Sequence, residues 1–517
     1  MAEQGILAFD LGTTNLKVGI VTADGTVAAA VTRPVKTEIA GDGAPTQDPG
    51  AIRSDALEAA REVVGKTRDR VHTAGAICSS QFFSVIPVDA TGTPVGAMQP
   101  WMARRGAARS EQWLADCPDA FLKLLEIHGA IPFGNDSLSH TFHLRDDCPE
   151  VWERTAALLE PADFLTTVLT GEPRTNLCTA FPFLLTDNRD LSHDRWSEEL
   201  LALAGVPRDK LPAMTAVDAQ VGCVRAEIAT EIGIPADTPV FAALNDTQAV
   251  TIGSGAFRPG RLGLNIGTTI QVLGAAPSKK TDIESQTVSM PSPLAHEYLA
   301  MAECGLGGRA VEHFVRSIVY AEDGFATRGT DDVFARLEDV VAGEPAGSGR
   351  MIFLPWLSGA LAPVEDAHAR GGFLGMSLGT TRARMMRSVL EGVGFQLRWM
   401  FPFVERFAEE SADEVTFSGG GARSDAWAGI LASIFDRPLL QLAEPGLANL
   451  RGAGFLGHLR LGRIGRDESD RFRPIAAVHE PDGEAREIYD DLFAAWRLAF
   501  DANREVFAAL QGGGPKD

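Results

Sequence analysis

A six-residue pattern occurs twice in this chain, and nothing else in the sequence restricts the fold as much. Phe9-Asp10-Leu11-Gly12-Thr13-Thr14 and Leu264-Asn265-Ile266-Gly267-Thr268-Thr269 share one order: an apolar residue, Asp or Asn, an apolar residue, then Gly-Thr-Thr. About half of the 517 residues separate the copies. Each copy follows an apolar run (Ile6 to Phe9, Leu262 to Leu264) and precedes another (Leu16 to Val21, Ile270 to Leu273), which is the pattern of a strand, a tight turn and a strand. The repeat predicts two similar domains, residues 1–255 and 256–517, each opening with a β-hairpin.

The stretches between the copies alternate in type. Pro49 to Arg68 carries Ile52, Ala56, Leu57, Ala60, Val63 and Val64 at helical spacing, whereas Gly75 to Ser79 and Phe83 to Val88 read as strands. Val240 to Leu244 is a further strand, with helical character from Thr247 to Ala256. In the second half, Arg384 to Phe407 is a long helical pattern, Val415 to Ser418 a strand and Gly419-Gly420-Gly421 a turn. Trp427, Ile430, Leu431 and Ile434 then mark one face of a helix. Alternation of this kind predicts an α/β architecture. From about Asp467 the chain is polar apart from Ile488 to Leu510, and this tail is expected to pack as a C-terminal helical appendage.

Composition narrows the partners. Lys plus Arg is 47 against 69 Asp plus Glu, a net charge of −22, which repels a polyphosphate backbone, so no nucleic-acid partner is expected. The amino terminus has no basic segment followed by an apolar stretch, and no uninterrupted apolar run reaches about eighteen residues, so a cytoplasmic location without a membrane partner is expected. A homodimer stays open. Six widely spaced cysteines (Cys78, Cys117, Cys148, Cys178, Cys223, Cys304) form no C-x-x-C pair, which argues against a zinc ribbon or dithiol site and predicts buried thiols.

A strand-turn-strand with hydroxyl residues at its turn places backbone N–H groups and Thr hydroxyls on one surface, which suits phosphate oxygens. Two such hairpins face to face would clamp a triphosphate through Gly12, Thr13, Thr14 and Lys17 on one side and Gly267, Thr268 and Thr269 on the other. Asp10, just before the first turn, is placed to hold the waters of a Mg²⁺ ion. Gly420, Gly421 and Ala422, between a strand and an amphipathic helix, leave room for a flat ring, with Asp425 at the helix start. Asp246 ends a strand and begins a helix. It is either an N-cap or a general base, in which case the helix N-terminus is expected to keep it ionised. Gln81, Trp101, Arg105 and Gln248 are polar or aromatic groups among apolar neighbours and are candidates for binding a polyol.

Taken together these motifs resemble the FGGY carbohydrate kinases, members of the actin and hexokinase superfamily, over roughly residues 5 to 465. Beyond the two hairpin motifs, Pro355 to Gly359, Arg370 to Gly375 and Arg387 to Gly392 are similar to the C-terminal signature, and Ser418 to Ser424 to the adenosine motif. Gly452-Ala453-Gly454 is similar to the small-residue helix after it, and Leu169-Thr170-Gly171 and Leu211-Pro212 fall where family members carry them. The resemblance implies two ribonuclease-H-like, actin-like ATPase domains around an interdomain cleft. It also implies ATP and Mg²⁺ as cofactors and a small sugar or polyol as substrate, a ketose such as xylulose or a less common relative. Asp246, within Asn245-Asp246-Thr247-Gln248, matches the family's catalytic base. A seven-carbon ketose is the alternative acceptor, and an actin-like or chaperone-like ATPase the alternative from another class. Departures from the xylulokinase type fall in the sugar half: Phe83 stands where the family has a His, Ala103 where it has an Asp, and Ala360-Leu361 where it has Glu-Arg.

Overall fold

The computed structural model describes residues 3–267, 269–319 and 333–511. Two sheets carry it, and each is built around one copy of the repeat. In the first, Glu3–Leu11 pairs antiparallel with Asn15–Thr22, which pairs with Val27–Pro34. On its other side Glu3–Leu11 runs parallel to Val71–Ser80, followed by Pro239–Phe241 and the antiparallel edge strand Gln220–Cys223. In the second, Arg261–Ile266 and Thr269–Ala276 form the hairpin, and Glu414–Ser418 runs parallel beside it, as Val71–Ser80 does in the first sheet. Leu439–Leu442 and Ile475–His479 continue one side, and Tyr298–Leu306, Thr287–Pro291 and Thr281–Asp282 the other. The predicted α/β class and both hairpins are present.

Central strands buried on both faces need continuous apolar runs rather than alternation. Ile6, Leu7, Ala8 and Phe9 are accordingly at most 1% exposed. Pro49–Thr67 covers one face with the predicted stripe; Asp48 caps it, accepting from Gly50 N at 2.8 Å, and Pro49 takes the first helical position. The opposite face is covered from the far end of the chain. Leu450, Ala453, Phe455 and Leu456 of helix Ala448–Arg460 pack with Ile6, Ala8, Val21 and Ile77. His458 Nε2 lies 2.9 Å from Val21 O. A cut at residue 255 therefore does not separate the chain cleanly, because one helix of the second half belongs to the core of the first.

Three other expectations change. The tail is no appendage: Ile475–His479 is a strand of the second sheet, and Gly483–Ala502 buries Tyr489, Leu492, Trp496 and Phe500 in its core. Polar composition hid a single stripe at i, i+3, i+7 and i+11, with the charged residues turned to solvent. The strand expected from Phe83 shrinks to Ile86–Val88, since Phe83 adopts φ 57°, a left-handed conformation a strand does not admit. Of the cysteines, Cys78, Cys178 and Cys304 are buried, Cys117 and Cys148 half-buried, and Cys223, on the edge strand, exposed; all are free.

Candidate active site

Three adjacent parallel strands end together, and the candidate residues follow their ends. Leu11 is paired with Ser80 and Asn245 with the same Ser80, so Gly12, Gln81 and Asp246 leave the sheet side by side. Carboxyl ends of parallel strands are where open α/β sheets place ligands. The sequence left open whether Asp246 caps its helix. Asn245 does: its Oδ1 accepts from Gln248 N at 2.8 Å, while Gln248 Oε1 accepts from Asn245 N at 3.0 Å, a reciprocal capping box. Asp246 is thus released to the first helical position, half-buried, its carboxylate bonded to Thr247 N at 2.8 Å. Gln248 is corrected by the same geometry. It is fully buried, with its amide also donating to Pro291 O at 2.7 Å, so it serves the cap rather than a ligand.

The ionisation expected of Asp246 is also corrected. Burial, and then the charge of Asp10, push its carboxyl up to about 7, with Glu303 adding to the rise; the bond from Thr247 N only partly opposes them. One amide at a short helix's start does not offset desolvation and two neighbouring carboxylates. A base that must be ionised to work therefore loses activity on the acid side: kcat/KM should fall about tenfold per pH unit below about 7. A rate profile from pH 5.5 to 8.5 checks this, and a flat profile down to pH 5.5 would contradict it.

Around the first turn the candidates form two bonded groups, one about Thr13 and one about Asp10. Trp101 Nε1 donates to Thr13 Oγ1 at 2.9 Å, and Gln47 Nε2 donates to Thr13 O at 2.9 Å. Gln81 Nε2 in turn donates to Gln47 Oε1 at 2.9 Å, while Gln81 Oε1 is buried without a partner among the described residues. Thr14 is exposed. Asp10 is 3% exposed; its Oδ1 accepts from Asn449 at 3.0 Å and Ser79 at 3.3 Å, and Lys17 Nζ lies 3.6 Å from Oδ2. Arg105 stands apart: its guanidinium is taken up by Asp42 at 2.6 and 2.8 Å and by Gln99 at 2.6 Å.

The second hairpin and the glycine turn lie against each other. Gly267 N donates to Thr269 O at 3.0 Å, closing the turn; Thr268 lies outside the described residues. Gly419 has φ 81°, and a Cβ there would sit 2.5 Å from Ile266 O and 2.6 Å from Asn265 Oδ1, so only glycine lets the turn meet the hairpin. A Cβ on the exposed Gly420 would meet nothing within 4 Å. Ala422 is corrected: it is 1% exposed and its methyl belongs to the core, leaving the exposed Gly420 and the half-buried Gly421 to face outward. Ser424 caps the next helix, and Asp425 Oδ1 accepts from Gln441 Nε2 at 2.8 Å.

Several residues of this region escaped sequence reasoning. Glu303, half-buried on Tyr298–Leu306, has its carboxyl pushed up to about 7 by burial, against a bond from the Thr269 hydroxyl. Glu160, 1% exposed, is held by the Ser137 hydroxyl and Ser84 N and lies near enough Asp246 to feel its charge. Asn449 joins Asp10 from the far end of the chain. The one available signal was the glycine cluster Gly305, Gly307 and Gly308 that follows Glu303: a Cβ on Gly308 would lie 2.5 Å from Gly267 O.

The chain and its fold are similar to those of known proteins. Residues 5–253 match the N-terminal domain, and residues 262–457 the C-terminal domain, of the FGGY family of carbohydrate kinases. A xylulose kinase of Staphylococcus epidermidis is 24% identical over 514 residues, covering 99% of each chain. A glycerol kinase of Bordetella parapertussis is 28% identical over 474 residues, covering 88% of this chain and 89% of its own. Among solved structures, gluconate kinase from Lactobacillus acidophilus superposes with a TM-score of 0.84 at 22% identity, over 98% of this chain and 100% of that one. Xylulose kinase from Rhodospirillum rubrum does so with a TM-score of 0.84 at 23% identity, over 97% and 99%.

Proposed function

The chain belongs to the FGGY family of carbohydrate kinases, and from that premise we propose that it transfers the γ-phosphoryl group of ATP to a primary hydroxyl of a ketose or polyol bound beside Asp246. The observation that carries this reading is the emergence of Gly12, Gln81 and Asp246 from three adjacent strand ends. In the proposed reaction the acceptor hydroxyl gives its proton to Asp246 as its oxygen bonds to the γ-phosphorus. The bond from that phosphorus to the β-bridging oxygen breaks, and ADP leaves. A carboxyl near 7 is poised for this, ionised enough to accept a proton and basic enough to hold it.

Phosphates are taken by Gly12, Thr13, Thr14 and Lys17 on one side and by Gly267, Thr268 and Thr269 on the other. Adenosine lies on Gly420 and Gly421. Among the described residues no three His, Cys, Asp or Glu side chains are grouped to hold a metal ion. The carboxylate of Asp10 would hold a Mg²⁺ through its waters, and such an ion would neutralise charge on the transferring group. No helix among the described residues is long and apolar enough to cross a membrane.

The acceptor side supports a substrate other than the commonest one. Phe82 and Phe83 stack with ring centroids 4.4 Å apart, Phe83 standing where the xylulokinase type has a His, and Arg105 is already engaged by Asp42 and Gln99. Loss of polar pairing discriminates strongly between similar substrates. A coupled ADP-release assay over ketoses of five to seven carbons, aldoses and polyols tests the reading. We expect stimulation by at least one acceptor and poor turnover of D-xylulose; efficient turnover of D-xylulose would contradict the substrate assignment, and ATP hydrolysis indifferent to every acceptor would contradict the kinase assignment.

A further inference from the structure

The two hairpins differ in what their strands carry toward the cleft. In the first, Asp10 is opposite Lys17, an ion pair at 3.6 Å. In the second, Asn265 is opposite Gln271, and Gln271 opposite Glu303 on the next strand. Cross-strand partners share one face of a sheet, so Asn265, Gln271 and Glu303 form a polar row. All three are partly exposed between buried neighbours.

An amide pair can do what an acid and an ammonium cannot, because a glutamine accepts at one atom and donates at another. Asn265 Nδ2 donates to Gln271 Oε1 at 3.0 Å, and Gln271 Nε2 donates to Thr247 Oγ1 at 3.0 Å. The second bond passes from the second sheet to the helix that starts at Asp246, and Thr247 N is the group that holds Asp246 Oδ1 at 2.8 Å. At its other end the relay touches the glycine turn, where Asn265 Oδ1 lies 2.6 Å from the place a Gly419 Cβ would occupy.

We propose that Gln271 is a positioning residue: through Thr247 it fixes the Asp246 carboxylate relative to the second phosphate hairpin, so that the base is aligned where the two halves meet. The proposal rests on the reading of Asp246 as the base. Misplacement of a catalytic group by a fraction of an ångström to one ångström costs rate without weakening binding to the same degree.

Steady-state kinetics of Gln271→Met, Thr247→Val and the double variant, with Asp246→Asn alongside, test it. Gln271→Met keeps the side chain's length and removes both hydrogen-bonding atoms. Each single variant should lower kcat about tenfold or more with both KM values changed by less than about threefold, and the double variant should be no slower than the slower single, because both break one bond. Should Gln271→Met not fold, Thr247→Val breaks the bond from the other side and carries the same expectation. An inactive Asp246→Asn with wild-type kcat in Gln271→Met overturns the positioning role and leaves the base assignment standing, as do single effects that multiply in the double variant. An active Asp246→Asn removes the premise itself.

Discussion

Asp246→Asn should lower kcat by about 10²–10⁴-fold, the range a positioned general base supplies, while binding of an ATP analogue persists. The amide keeps the shape of the side chain and an oxygen for Thr247 N, and loses the negative charge and with it the capacity to take a proton. The same variant should behave distinctively in stability. The folded-state carboxyl titrates at about 7, above its ordinary 3.8, because burial and the charges of Asp10 and Glu303 disfavour ionisation. A group whose folded pKa is raised stabilises the fold fully below its unfolded value, and that contribution is lost as pH rises through the folded value. Asp246→Asn is therefore expected to gain stability relative to the wild type between pH 5 and pH 8. Thermal unfolding at the two pH values, read with the kinetics, separates a lost base from a damaged fold. Wild-type turnover, or a relative stability unchanged by pH, would oppose the assignment.

Gly452→Ala should be strongly destabilising. The base helix Asp246–Gly253 and the helix Ala448–Arg460 cross backbone to backbone: a Cβ on Gly452 would lie 2.0 Å from Ala249 O, and one on Gly253 2.1 Å from Ala448 O. Neither obstacle is a side chain that can rotate away, so the helices must part. Overpacking commonly costs about 1–3 kcal/mol, and a collision with backbone belongs at or above the top of that range. At about 2–4 °C per kcal/mol for a domain of this size, the midpoint should fall by on the order of 10 °C. Activity should fall with it, because one displaced helix carries Asp246 and the other carries Asn449, the partner of Asp10. Gly429→Ala is the control: it lies within helix Asp425–Phe435 and its Cβ would meet nothing within 4 Å, so the substitution should be neutral or stabilising by up to about 1 kcal/mol. Equal midpoints for the two variants would show that the crossing is looser than its geometry.

What was legible in the sequence was local. Apolar runs on both sides of Gly-Thr-Thr define the hairpins, and helical spacing marks Pro49–Thr67 and Arg382–Ala408. Asp246 stood out because a carboxylate between a strand and a helix has few roles. Direction was not legible. Gln248 and Ala422 lie beside the right residues in sequence, yet one turns back into its helix cap and the other into the core. Glu303, Gln271 and Asn449 were invisible for a different reason: each is a lone polar residue among apolar ones, and its meaning comes from Asp246, Thr247 and Asp10, which only the meeting of the two sheets, or for Asn449 the return of a late helix to the first sheet, brings near. The tail misled through composition, since a helix with one buried stripe is mostly polar when its residues are counted rather than placed.

The central claim is that both hairpins grip one nucleotide beside Asp246, and a crystal structure with a non-hydrolysable ATP analogue tests it most directly. The account predicts phosphate oxygens within hydrogen-bond distance of the Gly12–Thr14 turn and of the Gly267–Thr269 turn, with the terminal phosphate nearest Asp246 and the adenine on Gly420. An analogue bound through one hairpin alone, or with its terminal phosphate turned away from Asp246, would contradict it.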